Sequence, residues 1–507
     1  MTPARTVNDL MSTGADAAVA LSAPQRPSLS FAGLREHLRY TVNELNRRGI
    51  GRGDRVAIVL PNGPEMASSF ISIACGAVTA PLNPGYRPEE FEFYLSDLNA
   101  RALVVAAGDD TPARTAAETL GVSILEIEHA ATDLAGVFRF SGTAPGSPAT
   151  RGGLATEDEI ALVLHTSGTT SRPKIVPLTH INVCASAANI TQSLALTPQD
   201  RCMNIMPLFH IHGLVAAILA SLGSGGSTYC TPGFNALRFF AWLDEAEPTW
   251  YTAVPTMHQA VLQRAGRSRE VIKRNPLRFI RSCSSALPPQ VMADLEKGFG
   301  VPVIEAYAMT EAAHQMTSNP LPPAARKPGS VGIAAGPEVA IMDDAGNLLG
   351  NDEVGEVVIR GVNVTPGYEN NQKANSESFT HGWFRTGDQG VMDTEGYVRI
   401  TGRLKEIINR GGEKVSPREV DEVIMDHPAV QQVVTFAMPH DKLGEEIAAA
   451  VVLREGQSTD EKEIREFVAG RLADFKVPRK ILFLEEIPKG PTGKLQRIGL
   501  ADKLGLA

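Results

Sequence analysis

Cysteine is scarce: Cys75, Cys184, Cys202, Cys230 and Cys283 are the 5 in 507 residues, and no two of them share a CxxC spacing. That excludes a disulfide framework and fits a compartment where thiols stay reduced, so a cytoplasmic location is expected. An excess of positive charge is lacking too. The 48 basic residues face 57 acidic ones, a formal charge of -9, which argues against a general nucleic-acid or membrane-surface binder. Any anionic ligand must then be met by a local arrangement. Long apolar runs are missing: LVAAILASL from Leu214 is too short to cross a bilayer. The amino end has neither a continuous apolar core nor a basic start, and the final LGLA carries no peroxisomal address, so no targeting segment is expected. The GxxxxGK[ST] loop of ordinary nucleotide triphosphatases is absent as well.

What is present is an ordinary globular composition, 43% hydrophobic and 21% charged. The length suggests roughly three or four compact units. RVAIVLP from Arg55 and RALVVAA from Arg101 read as buried strands, with helical spacing between Glu65 and Gly76, a rhythm of parallel α/β units. It recurs as RFIRS, a helix over 288–299, and VPVIEAY, so the loops CSSA and YAMTE are expected to open side by side. From Pro328 onward, short strands such as GEVVIRG and GYVRITGR read as a β-rich lobe. The last hundred or so residues read as a small α+β domain, with expected capping boxes at SPRE (Ser416) and STDE (Ser458).

Chemistry enters with HTSGTTSRPK. Backbone NH groups around Gly168 and the hydroxyls of Thr166, Ser167, Thr169, Thr170 and Ser171 suit phosphate oxygens, and Lys174 adds a positive charge. A second lysine in a glycine-bearing loop, Lys494 in PKGPTGKLQR, lies almost at the other end of the chain.

Together with PLFHIHG, YAMTE, WFRTGD and GRLKEIINRGGEKVSP, these stretches resemble the adenylate-forming enzymes, which include acyl-CoA synthetases, luciferases and peptide-synthetase adenylation domains. The motifs occur in that family's order. The resemblance implies an α/β adenylate-forming fold: a large N-terminal domain over 1–402, built of α/β subdomains and a β-rich lobe, and a small mobile C-terminal domain over 403–507. It also implies ATP, Mg²⁺ and CoA as partners. In that family the TSGTT loop with Lys174 holds the leaving pyrophosphate, Tyr307 offers its ring to adenine beside Ser284, Ser285 and Ala286, and Thr310 meets the α-phosphate. Glu311 would bind the metal, Asp388 with Arg403 the ribose, and Lys494 the carboxylate and α-phosphate during adenylation. Lys405 matches the hinge, and Gly411 with Gly412 would let backbone approach the CoA arm. The family more often has glycine where Ser171 and Ala308 stand.

His210 resembles the histidine that closes the site and helps the thioester step; His212 stays without a role. The acyl pocket is expected to offer His210, Ser284, Ser285, His314 and Gln315, whose polarity suits a short acid with a second polar end. The text around RFIRSCSSALPP and EAYAMTEAAHQMTSNPLPP is especially similar to oxalate-CoA ligases. His314 is then expected to pair with the second carboxylate and, titrating near pH 6.5, roughly, to release it at alkaline pH. Ligation of another short, medium or aromatic acid, loading of a carrier protein, and a nucleotide-binding regulator without turnover are the competing readings.

Overall fold

The computed structural model describes residues 4–142, 147–166, 173–490 and 494–506. Among these residues the strands form four sheets. In the first, Arg55–Val59, Val78–Pro81, Ala102–Ala106 and Ser123–Glu128 pair in parallel. Their near-continuous apolar sequences follow from burial on both faces. The helix Pro64–Ala74 starts with proline at its first position and is buried on almost every side, because it is wedged between this sheet and the next.

The second sheet positions the site. Ser227–Cys230, Arg201–Asn204, Trp250–Ala253, Phe279–Ser282 and Val303–Met309 are successive parallel neighbours. The chain then reverses, and Val303–Met309 pairs antiparallel with His314–Ser318. YAMTE is therefore only partly a loop. Tyr307, Ala308 and Met309 continue the strand, and the turn falls on the single 3₁₀ turn Thr310–Ala312.

The β-rich lobe is antiparallel, built from Glu338–Met342, Gly355–Arg360, Trp383–Met392 and Val398–Arg403. The next sheet starts at Ile408 and combines Ile408–Arg410, Glu413–Val415, Val430–His440 and Gly444–Leu453, with Lys480–Phe483 added in parallel. Helices Pro417–Met425 and Glu461–Ala469 cover one face of it, burying Val420, Ile424, Ile464 and Val468 against Val433, Ile447 and Val451. Each such side chain contributes about 1.5–3 kcal/mol.

Neither expected capping box forms. Ser416 does occupy the N-cap, yet its hydroxyl donates to the Thr401 carbonyl and ties the helix back to the β-rich lobe. The second helix starts at Glu461, capped by Asp460, whose carboxylate accepts from the Glu463 amide at 2.8 Å. A carboxylate two residues closer outcompetes the Ser458 hydroxyl, being the stronger acceptor at a helix N-terminus. No helix among the described residues is long and apolar enough to cross a membrane.

Candidate active site

Phe279–Ser282 and Val303–Met309 run side by side with Ser282 opposite Glu305, so the residues just beyond Ser282 lie along the last residues of the second strand at one edge of the sheet. Ser284 follows the first strand at φ +75, and Ala313 and His314 follow the second at +47 and +111. Non-glycine residues held there store about 1–3 kcal/mol each, and such strain gathers where packing over-determines a functional backbone. Ser285 and Ala286 are exposed at the rim.

On one side of this edge the β-rich lobe brings in Asp388, directly opposite Arg403 across two antiparallel strands. Asp388 is 5% exposed. Arg403 Nε donates to its Oδ1 at 2.8 Å, and the Tyr307 hydroxyl donates to its Oδ2 at 2.5 Å. Each carboxylate oxygen keeps a second lone pair, so two further hydroxyl donors can be accepted. Burial, reinforced by Asp388, pushes the Tyr307 phenol well up, while Asp388 holds the Arg403 guanidinium protonated.

Glu311 is buried one residue beyond Thr310, which is half-buried. Tyr368 donates to Glu311 Oε1 at 2.7 Å, and the Thr365 amide donates to the Glu311 carbonyl at 2.7 Å. Burial raises the Glu311 carboxyl, and Lys174 and Arg403 oppose the rise. Lys174 opens its strand opposite Thr166, and its Nζ sits 4.2 Å from the Tyr368 ring centroid. Burial lowers the Lys174 ammonium, with Glu311 opposing. Ser167, Gly168, Thr169 and Thr170, expected in the phosphate loop, lie outside the described residues. Sequence reasoning missed Tyr368; a lone aromatic after Pro-Gly carries no local signal of a partner 57 positions away.

The tail delivers Lys494 to the same cleft. The Gly490 amide donates to the Lys494 carbonyl at 2.7 Å. Burial and Arg403 lower the Lys494 ammonium, while Cys283, Asp388 and Glu311 oppose. Arg497, three residues on, ties this part of the tail down: it donates to Glu406 Oε2 at 3.1 Å, to Asp421 Oδ2 at 2.7 Å and to the Thr435 carbonyl. Lys405, the expected hinge, is exposed beside Glu406 in the 3₁₀ turn Leu404–Glu406. Gly411 and Gly412 form a two-residue hairpin with φ +60 and +99, a geometry that itself demands glycine-like residues.

The acyl end differs from expectation in two ways. Gln315 is not offered to a ligand: its amide oxygen accepts from Arg281 at 3.2 Å and its nitrogen donates to Ser193 at 2.8 Å. His314 is wholly buried and does not titrate near neutrality. Burial, with help from Arg281, His210 and Lys494, lowers its imidazole well below the usual range, so it stays neutral and gives no alkaline release. His212 proves to be part of the network, stacked on His314 with ring centroids 5.0 Å apart and bonded to Ser284 Oγ at 3.1 Å and Thr252 Oγ1 at 2.6 Å. His210 Nδ1 accepts from the His212 amide at 3.2 Å, which leaves the ring proton on Nε2. Burial and the Lys494 charge push this imidazole down to about 3. Beside it lies an apolar cavity of about 380 Å³, lined by Leu60, Met66, Pro207, Phe209 and Phe234 and bordered by Lys489 and Gly490 of the tail.

Strand-end hydroxyls, a buried carboxylate flanked by lysines and an Asp–Arg–Tyr group thus meet beside the buried histidines and the apolar cavity. The chain belongs to the AMP-binding enzyme family, which it matches over residues 12–369, with the family's C-terminal domain matched over 419–494. It is 45% identical to an oxalate–CoA ligase of Arabidopsis thaliana over 94% of each chain. It is 44% identical to an oxalate–CoA ligase of Saccharomyces cerevisiae, over 89% of this chain and 87% of that one. Among solved structures, ATP-bound MatB from Rhodopseudomonas palustris superimposes with a TM-score of 0.88 at 28% identity, covering 98% of both chains. The fold is thus that of the adenylate-forming enzymes.

Proposed function

We propose that this protein is an ATP- and Mg²⁺-dependent acid:CoA ligase acting on oxalate. A carboxylate oxygen of the acid attacks the α-phosphorus of ATP. A new acyl–O–P bond forms as the α–β bridging P–O bond breaks, and pyrophosphate leaves. The CoA thiol then loses its proton to solvent, its sulfur attacks the acyl carbon, and the C–O bond to AMP breaks. The observation that carries this reading is the convergence of Lys494, Arg403, Asp388 and Glu311 at the ends of two parallel strands, in a chain 45% identical to an oxalate–CoA ligase.

In this reading Asp388 accepts from both ribose hydroxyls while Arg403 and Tyr307 fix its two oxygens. Lys494 meets the negative charge that builds where two anions approach. Thr310 offers its hydroxyl to the α-phosphate, and Lys174 with Thr166 and the Ser167–Gly168–Thr169–Thr170 stretch takes the leaving pyrophosphate. Glu311 suits Mg²⁺ as a buried hard oxygen donor. No group of three His, Cys, Asp or Glu that could hold a metal ion stands among the described residues, so phosphate oxygens would complete the shell. When bound, the ion neutralises phosphate charge.

His210, neutral and with its proton on Nε2, is a hydrogen-bond donor rather than a base, and its place is at the acyl oxygen during thioester formation. The apolar cavity beside it suits a pantetheine arm; Lys489 and Gly490 border that cavity, so the tail must withdraw for the thiol to enter. That requirement supports a mobile domain over 403–507 turning about Lys405, with Gly411 and Gly412 facing the arm after the turn. Buried thiols fit a cytoplasmic setting.

The test is acid-dependent ATP–pyrophosphate exchange with oxalate, malonate, acetate, coumarate and octanoate, followed by thioester assay with free CoA and no carrier protein. Oxalate is expected to lead. Exchange without oxalate preference refutes the substrate, and absence of thioester refutes the ligase.

A further inference from the structure

Arg281 sits at the centre of Phe279–Ser282, a strand buried along its whole length, and its own exposure is 0%. Its side-chain partners among the described residues are Thr252 at 3.4 Å, His314 at 3.3 Å, Gln315 at 3.2 Å and the Cys283 thiol, none of them a carboxylate. Its Nε has no partner. A guanidinium stays protonated inside proteins, so the fold carries a buried cation that no carboxylate among the described residues neutralises. Such a charge is unfavourable unless an anion joins it.

Two chains of hydrogen bonds lead away from it. Arginine can only donate, so His314 Nε2 must accept, and the neutral His314 ring therefore carries its proton on Nδ1. That Nδ1 is buried and unpartnered. Along the second chain, Arg281 donates to the Thr252 hydroxyl, which is hydrogen-bonded to His212 Nε2 at 2.6 Å. His212 Nδ1 is in turn hydrogen-bonded to Ser284 Oγ at 3.1 Å. The first chain ends in a donor on His314 and the second in the Ser284 hydroxyl, at the strand edge where the acid is placed.

We propose that Arg281 is the positioning residue that sets this pocket for acids bearing a second negative charge. It fixes His314 as an Nδ1–H donor, holds the Thr252–His212–Ser284 chain from behind, and supplies the buried positive charge that a dianion needs. A singly charged acid leaves that charge uncompensated. The inference rests on the proposed ligase activity and names the residue behind its substrate class.

The test uses the full chain. Arg281→Met is expected to raise the KM for oxalate about 100-fold while kcat changes less than about threefold and the KM for ATP stays put; Arg281→Lys is expected to recover at least half of the loss. Equal losses for oxalate and ATP, or an unchanged oxalate KM, overturn the proposal. Should Arg281→Met fail to fold, ¹⁵N NMR of histidine-labelled wild type decides, with His314 assigned by its loss in His314→Gln. A neutral ring protonated at Nδ1 at pH 7 is expected, and an Nε2–H ring or an imidazolium overturns the assignment. A wild type that takes malonate but not oxalate refutes the oxalate reading and leaves Arg281 under the same test with malonate. One that prefers acetate or octanoate refutes both.

Discussion

Replacing Lys494 by alanine separates the two half-reactions. The ammonium lies within the field of Arg403, Asp388 and Glu311, half-buried in the cleft, so its charge acts through a medium much less polarisable than water. At hydrogen-bond distance, and with an effective dielectric near 20, one unit charge stabilises another by roughly 5 kcal/mol. Part of that is already present when ATP and the acid bind, so a transition-state share of about 3 kcal/mol remains, or roughly 10²-fold in rate. ATP–pyrophosphate exchange is the assay for adenylation, and release of AMP from supplied acyl-adenylate and CoA is the assay for the second step. Lys494→Ala is expected to slow the first by about 10²-fold or more and to leave the second within a few fold. Equal loss in both would refute the assignment, because the lysine would then be a structural prop for the cleft.

Asp388→Asn is expected to raise the KM for ATP by about 30-fold with little effect on the KM for the acid, read by steady-state kinetics, since only the ribose contacts and the ties to Tyr307 and Arg403 change. The oxalate KM is expected to stay flat from about pH 6 to 8, because burial keeps His314 neutral throughout; a rise with a midpoint near 6.5 would restore a titrating histidine. Acid is expected to destabilise the fold early. Burial depresses His37 and His180 to about 4 and His258 to about 3, below the unfolded value of 6.5, so as pH falls the unfolded chain takes up protons first. Stability is full above about pH 6.5 and declines below it by roughly 1.4 kcal/mol per pH unit for each ring, until the folded values are reached. Thermal melting between pH 7 and 5 checks this.

Strands such as RVAIV and ALVVA were legible because burial on two faces leaves an apolar run with no alternation to misread. The residues proposed to face ATP stand in legible motifs, since the strand-end position of Tyr307, Thr310 and Glu311 is written locally. Their partners do not. Asp388 meets Arg403 through an antiparallel register with a bulge beside it, and Tyr368 meets Glu311 across two lobes. Arg281 was hidden most deeply: within RFIRS it passes for a polar residue at a strand edge, and only the reversal after Ala313 brings His314 and Gln315 against it. The capping boxes misled for the opposite reason, because a local pattern matched while a nearer carboxylate and a tertiary acceptor won the hydrogen bonds.

The burial of every cysteine matters beyond the reducing compartment it suggests. All 5 thiols are enclosed, and burial drives Cys75, Cys184, Cys202 and Cys230 far above the range where thiolate forms. Any sulfur anion that meets an activated mixed anhydride attacks its acyl carbon, so a catalyst that makes one and hands it to a visiting thiol is at risk of acylating itself. Here the guest's sulfur is the one such nucleophile with access, and the protein is protected from its own product.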